Sequence, residues 1–410
     1  MVQIKPFNVE QWMDKYETTA THNLAESCSD SLSLNALLSL GGHTLSNLPF
    51  PFSSIPLTYG HIRGSPEFRQ NVAALYPPQS SNDGLLPALP AENVLITPGA
   101  IAANFLVFYT LVGAGDHVIV MTPTYQQLHS VPASLGAEVE EWKLRPEEGF
   151  KADVEVLREM VRKPGSDGKG GTKLIVITNP NNPTGVIHPT AALKEIVSIA
   201  QSCGNVPILS DEVYRPLFHN PDIPAPASIL DIYSHGIATG SLSKAYALAG
   251  IRVGWVAARQ SRVIQACATA RDYNTICVSM LDDAVAAYAL SKGIVEKLLE
   301  RNVALCKRNW SIVDRFFGSG GGIDGVRFKT SYTRSSGGTI LFVRLTDRDG
   351  VPIDDKSFCH DLHTRTGVLL VPGGFCFGSE FKGYLRMGYA CNTKVLEEGL
   401  EKIRNFLKEF

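Results

Sequence analysis

The 410-residue chain has little net charge: 38 Lys and Arg stand against 40 Asp and Glu, a formal balance of −2. Nothing in that balance attracts a polyanion, so neither nucleic acid nor a membrane surface is an expected partner. No stretch approaches the roughly 20 apolar residues that cross a bilayer. The opening residues, MVQIKPFNVEQWMDKYE, lack the apolar core of a signal peptide. The final Lys-Glu-Phe matches no retention or peroxisomal address. The eight cysteines form no CxxC pair, so reduced thiols are expected and a disulfide framework is not. A cytoplasmic protein is the expectation.

Several chemical signatures are also missing. There is no HExxH or GxSxG. Gly168-Lys169 is followed by Gly170 and lacks the earlier glycine of a phosphate loop. His360 and His363 form an HxxH without further ligands, which reads as a solvated helix face, and no metal is expected. No internal repeat is visible.

What is present is material for a large core, with 44% hydrophobic and 19% charged residues. Short apolar runs alternate with helical patterns. Strands are expected at Val94–Thr97, His117–Met121, Leu174–Thr178, Pro207–Ser210, Ile237–Thr239 and Val253–Ala257. Helices are expected at Ile101–Val112, Ala192–Ser202 and Ser261–Arg271, followed by one long helical stretch from Met280 to Phe317. Pro77–Pro90, Lys163–Gly171 and Gly318–Gly325 read as loops. This alternation predicts an α/β fold: a large domain over 51–285 with a mostly parallel sheet flanked by helices. Later strands at Thr339–Val343, Val368–Val371 and Tyr384–Gly388, with a helix from Thr393, predict a smaller α+β domain built from 1–50 and 286–410.

The segment that carries chemistry is Ser241-Leu-Ser243-Lys244, eight residues before Arg252, between two apparent strands. A lysine among small residues in an apolar context is a candidate nucleophile, because desolvation lowers its pKa. Ser241, Ser243 and Arg252 could hold a phosphate beside it. Upstream, Thr97-Pro-Gly99-Ala100-Ile101 joins a strand to a helix, where free N–H groups favour an anion. Asn179-Pro-Asn-Asn182-Pro-Thr-Gly185 is a strong turn. Asp211-Glu-Val-Tyr214 ends a strand, and Arg386 lies within the apolar Tyr384-Leu-Arg-Met-Gly388. A buried arginine needs a partner, which favours a functional reading of Arg386.

In their order these segments resemble the class I/II aminotransferases, the fold-type I enzymes of pyridoxal 5′-phosphate (PLP). The resemblance implies a Lys244 aldimine with the cofactor, Asp211 facing the pyridine nitrogen, and Tyr214 and Asn182 donating to the ring oxygen. It implies that Ala100, Ile101, Ser241, Ser243 and Arg252, with Gly99 at the turn, hold the phosphate. Tyr125, in Pro123-Thr-Tyr125, would stack on the ring, and Arg386 would grip the substrate α-carboxylate. Tyr59-Gly-His-Ile-Arg63-Gly64 resembles the segment whose tyrosine reaches the neighbouring subunit's cofactor, implying a homodimer with shared sites.

The subgroup signals are Asn23-Leu-Ala25-Glu26-Ser27 and Gly99-Ala-Ile-Ala-Ala-Asn104. They resemble the LAEN and GATAAN segments of aminocyclopropane-carboxylate synthases, departing at Ser27 and Ile101. The opening residues and Asp272–Asp283 resemble capreomycidine synthases. The implied function is transamination between an L-α-amino acid and a 2-oxo acid through a quinonoid carbanion, in amino acid metabolism or biosynthesis. The alternative is a PLP lyase or cyclase of specialised metabolism. A third reading, a ligand-responsive regulator, lacks an added basic domain. Glu26 is expected over the substrate, where it would repel acidic side chains and attract cationic ones. Arg271 is open between meeting a distal carboxylate and ending a surface helix.

Overall fold

The computed structural model describes residues 4–409 except 51–53, 82–83, 166–169, 319–322 and 324. The loops 163–171 and 318–325 therefore lie partly outside the described residues, as does the Gly168-Lys169 pair.

The main sheet has seven strands: β1 (Val94–Thr97), β2 (His117–Thr122), β3 (Glu138–Lys143), β4 (Thr172–Thr178), β5 (Ile208–Asp211), β6 (Gly236–Ser241) and β7 (Gly254–Ala258). Their spatial order is β1-β7-β6-β5-β4-β2-β3. Strand β7 is antiparallel to both neighbours, and the other pairings are parallel. Every residue of β2 is buried, which is what a near-continuous apolar strand requires when helices cover both faces. The helices used below are α1 (Asn8–Tyr16), α2 (Gly99–Leu111), α3 (Thr190–Ser202), α4 (Ser261–Arg271), α5 (Met280–Ala289), α6 (Ile294–Phe317) and α7 (Thr393–Glu409). A smaller antiparallel sheet contains β8 (Lys329–Tyr332), β9 (Ile340–Thr346), β10 (Val371–Pro372) and β11 (Tyr384–Gly388), in the order β8-β9-β11-β10.

Each expected strand of the main sheet is present, with ends shifted by a residue or two. Strand β3 was not expected, because EVEEWK is charged. It is an edge strand that keeps Trp142 buried and turns its carboxylates outward, which suits an unpaired edge. The long helical stretch is two helices. The break at 290–293 follows from Gly293, whose φ of +86° stops one helix and whose N–H donates to the Glu296 carboxylate that caps the next. The loop at 77–90 carries a short hairpin, Gln79–Ser81 with Gly84–Leu86. Residues 368–371 split between two sheets: Val368–Leu369 pairs in parallel with His22–Asn23, whereas β10 joins β11.

The N-terminal residues join the two sheets. In α1, the Asn8 side chain donates to the Phe375 carbonyl and its backbone N–H donates to Gln126 Oε1, while Trp12 Nε1 donates to the Leu370 carbonyl. Further on, Ser29 N–H donates to the Lys244 carbonyl and Asp30 N–H to that of Ala390. Packing is closest at Gly388, where an added Cβ would collide with the Glu26 carbonyl.

Candidate active site

In an open α/β sheet the carboxyl ends of the parallel strands form one edge, and ligands bind there. Because β7 is antiparallel, its beginning, after Arg252, lies at that same edge. A cavity of about 310 Å³ opens there. Its walls include Ala100, Ile101, Asn104, Tyr125, Asn182, Asp211, Tyr214, Ser241, Ser243, Lys244, Arg252, Arg386 and Glu26.

One end of the cavity suits an anion. Gly99 opens α2 with φ +78°, and a Cβ there would crowd Arg252 Nη2 at 3.0 Å. No side chain caps this helix, so the first-turn N–H groups of Ala100 and Ile101 are free for a ligand. Ser243 N–H donates to Ser241 Oγ at 3.0 Å, and Arg252 Nη1 donates to Ser243 Oγ at 3.4 Å. Among the described residues no carboxylate pairs with Arg252, which leaves its charge for a bound anion.

Asp211 ends β5 and is buried, bonded to a neutral amide and with the Lys244 charge acting on it. Its Oδ2 accepts from Asn104 Nδ2 at 3.0 Å, and Thr239 Oγ1 donates to Asn104 Oδ1 at 2.7 Å, fixing the amide's orientation. Burial pushes the Asp211 pKa up, so the carboxylate is poised to gain from a cationic ligand. Its sequence neighbour Glu212 turns away and accepts from Ser228 Oγ and Ile229 N–H. Tyr214 is 1% exposed, and its Oη has no hydrogen-bond partner among the described residues. In the 179–185 turn, Asn179 bonds the backbone of His188 and Asn181 bonds the Pro123 carbonyl. That leaves Asn182 facing the cavity.

Lys244 meets the N-terminal arm. Its Nζ donates to Ser27 Oγ at 2.9 Å and to Glu26 Oε1 and Cys28 Sγ at 3.4 Å. Burial pushes its pKa down, as expected from sequence, but the surrounding Cys28, Glu26 and Tyr214 outweigh it and the net shift is upward. This corrects the expectation of a lowered value. The charge responsible is on Glu26, because burial pushes the Cys28 thiol up to about 11 and keeps it neutral. In return the Lys244 ammonium holds Glu26 down at about 2.

Arg386 is 3% exposed on β11. It donates to Asn182 Oδ1 at 3.3 Å and to the Ala25 carbonyl at 3.0 Å, while its Nε has no partner. Among the described residues no carboxylate pairs with it. A buried guanidinium with an unused donor is matched to a carboxylate ligand. Tyr125 contributes its ring to the wall and donates from Oη to Glu10 Oε1 at 2.6 Å.

Two sequence candidates lie elsewhere. Tyr59 is 73% exposed and does not line this cavity. Arg271 does not meet the cavity; it ends α4, with a side chain 1% exposed that donates to the Ile62 carbonyl and to Asp272. His360 is exposed and His363 half-buried, as a solvated helix face requires, and they hydrogen-bond Tyr16 and Thr19 at the end of α1. Sequence reasoning missed Val9, Glu10, Met13, Glu17, Ser27 and Cys28 as cavity residues and Asn104 as the support of Asp211. Only the spacing of residues 9, 10, 13 and 17, one face of a helix, could have pointed to the first four.

Comparison with known proteins agrees with this geometry. The family model described as aminotransferase class I and II matches residues 56–403, and the chain belongs to that family. A PLP-dependent aminotransferase from Streptococcus suis is 38% identical, with a TM-score of 0.87 over 100% of this chain and 99% of that one. Capreomycidine synthase from Streptomyces vinaceus is 32% identical over 77% of this chain and 74% of its own length. A PLP-dependent cyclase, 22% identical with a TM-score of 0.81 over 99% and 98% of the two chains, shares the fold. The protein is therefore a PLP-dependent enzyme of fold type I. The uncapped helix, the unpaired Arg252, the buried Asp211 and the orphaned Tyr214 hydroxyl fit that cofactor.

Proposed function

We infer that the enzyme transfers an amino group between an L-α-amino acid and a 2-oxo acid. One observation carries this reading: a single cavity gathers an anion cradle, a buried acid, a lysine amine and an unpaired guanidinium. When bound, PLP supplies an aldehyde that captures amines and a ring that withdraws electrons from the α-carbon. The N–H groups of Ala100 and Ile101, with Ser241, Ser243 and Arg252, hold the phosphate. Asp211, oriented by Asn104, keeps the ring nitrogen protonated. Tyr214 Oη and the Asn182 amide donate to the ring oxygen, and Tyr125 covers the ring face. Arg386 orients the α-carboxylate. Lys244 Nζ, once out of its pair with Glu26 and neutral, would take the proton from the substrate α-carbon.

The test is to mix holoenzyme with a panel of amino acids and follow the cofactor spectrum. Amino acid alone should shift it, and a 2-oxo acid should restore it. A panel that leaves the spectrum unchanged would sink the reading. A lyase or cyclase is the second reading. It is supported by Glu26, a carboxylate 3.4 Å from Lys244 that could serve as a second base, and by the likeness to capreomycidine synthase. Amino-acid loss without dependence on a 2-oxo acid would favour it.

A homodimer belongs to the same reading. Leu57, Tyr59 and Tyr273 are 85%, 73% and 91% exposed, and Arg271 ties their two segments together. Exposed apolar side chains of this size support the dimer reading. A monomer in sedimentation at working concentration would remove the dimer. A cytoplasmic location is supported by eight cysteines that are all free.

A further inference from the structure

The proposed roles leave part of the cavity wall unused, and its charge has one sign. The lining cations are Lys244, Arg252 and Arg386, each already assigned. The lining acids beyond Asp211 are Glu10, Glu17 and Glu26. Glu10 and Glu17 lie on α1 and on the turn that ends it. Their spacing from Met13 places all three on one helix face, toward the cavity. Between the two carboxylates the wall is apolar, made by Val9 and Met13. Among the described residues no cation pairs with Glu10 or Glu17. Glu10 accepts from Tyr125, a neutral donor. The cation paired with Glu26 is Lys244, whose amine the cofactor takes up when bound, and Arg386 acts on Glu26 more weakly.

The opposite requirement is set by Arg386, buried, with a free Nε on the same cavity. A ligand that satisfies both ends carries a carboxylate at one end and a positive charge at the other. An aliphatic stem between them would lie along Val9 and Met13. A second carboxylate at the distal end would meet only like charge.

We propose that the substrate is an L-α-amino acid whose side chain ends in an ammonium or guanidinium group, received by Glu10 and Glu17 of the N-terminal helix together with Glu26. This rests on the cofactor and Arg386 assignments above, which fix where the α-carboxylate and amine lie. It extends selectivity beyond Glu26 to α1.

The experiment uses α-methyl amino acids, which lack the α-proton that Lys244 removes and so bind without turnover. Spectral titration of the holoenzyme gives dissociation constants for α-methylornithine, α-methylnorvaline, α-methylglutamate and α-methylalanine. The ornithine analogue should bind about tenfold or more tighter than the norvaline analogue, a ratio worth about 1.4 kcal/mol. The glutamate analogue should bind most weakly. The preference should shrink as salt is raised, since the carboxylates are at an open mouth. It should fall toward one in Glu10→Gln/Glu17→Gln, and because the readout is a ratio, a general loss of affinity does not mimic it. Equal binding of the ornithine and norvaline analogues by the wild type overturns the proposal while leaving the cofactor reading intact. If none of the four, α-methylalanine included, perturbs the spectrum, the cofactor reading fails and the proposal falls with it.

Discussion

The cavity has two unlike walls. The sheet-edge wall is made by residues at strand ends: Ala100 after β1, Asn182 after β4, Asp211 on β5, Lys244 after β6 and Arg252 before β7. Asp211 is locked by Asn104, itself held by Thr239, whereas the Lys244 amine reaches across to the arm. The arm wall, Val9 to Cys28, lies outside the two larger sheets, with His22–Asn23 pairing to Val368–Leu369. It is held by long-range bonds to β11 and to the Lys244 backbone. The difference assigns different work to each. A rigid edge suits steps common to every substrate, because charge stabilisation needs fixed dipoles. An arm whose acidic side chains are exposed at the mouth suits the choice of substrate.

The comparison breaks most visibly at Lys244. Lys244→Ala should lower turnover about 10⁴-fold, the upper range for a positioned base, with every amino acid alike. Borohydride reduction of the wild type and peptide mapping should find the pyridoxyl group on Lys244; a label on another lysine would contradict the assignment. Asp211→Asn preserves shape but removes the charge opposite the ring nitrogen. Turnover should fall about 10²–10³-fold while PLP still binds. Near-normal turnover would mean that the sheet edge does not hold the ring as proposed.

Asn104→Ala tests support rather than contact with substrate. Losing a hydrogen bond to a charged group costs about 1.5–3 kcal/mol, so turnover should drop about tenfold or more. The absorbance pH profile of the bound cofactor should move as well, and an unmoved profile would reduce Asn104 to packing.

Glu26→Gln, on the arm, should leave cofactor binding intact and change the ratio of kcat/KM between cationic and neutral amino acids. Its effect on folding is smaller and follows pH. The Glu26 carboxyl is lowered from 4.5 to about 2 in the folded protein, so its contribution is full above pH 4.5 and is lost as pH falls toward 2. The difference in Tm between the wild-type and Glu26→Gln apoproteins should therefore narrow over that interval. A difference that is constant with pH would mean that the Lys244–Glu26 pair does not form in solution.

Much of the sheet-edge wall was legible in the sequence because each of its groups sits in a short local pattern. A strand end, a turn proline or a helix start places Gly99, Asn182, Asp211 or Arg252 within a few residues of its own signal. The apolar runs of β2 and β4 were equally legible, since burial on both faces demands them. Charged β3 was not, because an edge strand is selected for what it repels.

By itself, the sequence determined the local patterns of the proposed cofactor wall and six of the main sheet's seven strands, all but β3. It also carried Glu26, but not that residue's ion pair or the direction in which Lys244 titrates. Those belong to the tertiary structure. Lys244 and Glu26 are 218 positions apart, Arg386 and Ala25 are 361 apart, and Tyr125 and Glu10 are 115 apart. No local pattern encodes such pairings, because they form only when the arm is closed between the two sheets. Burial alone would have lowered the Lys244 pKa, and the fold reverses it by setting a carboxylate beside the amine.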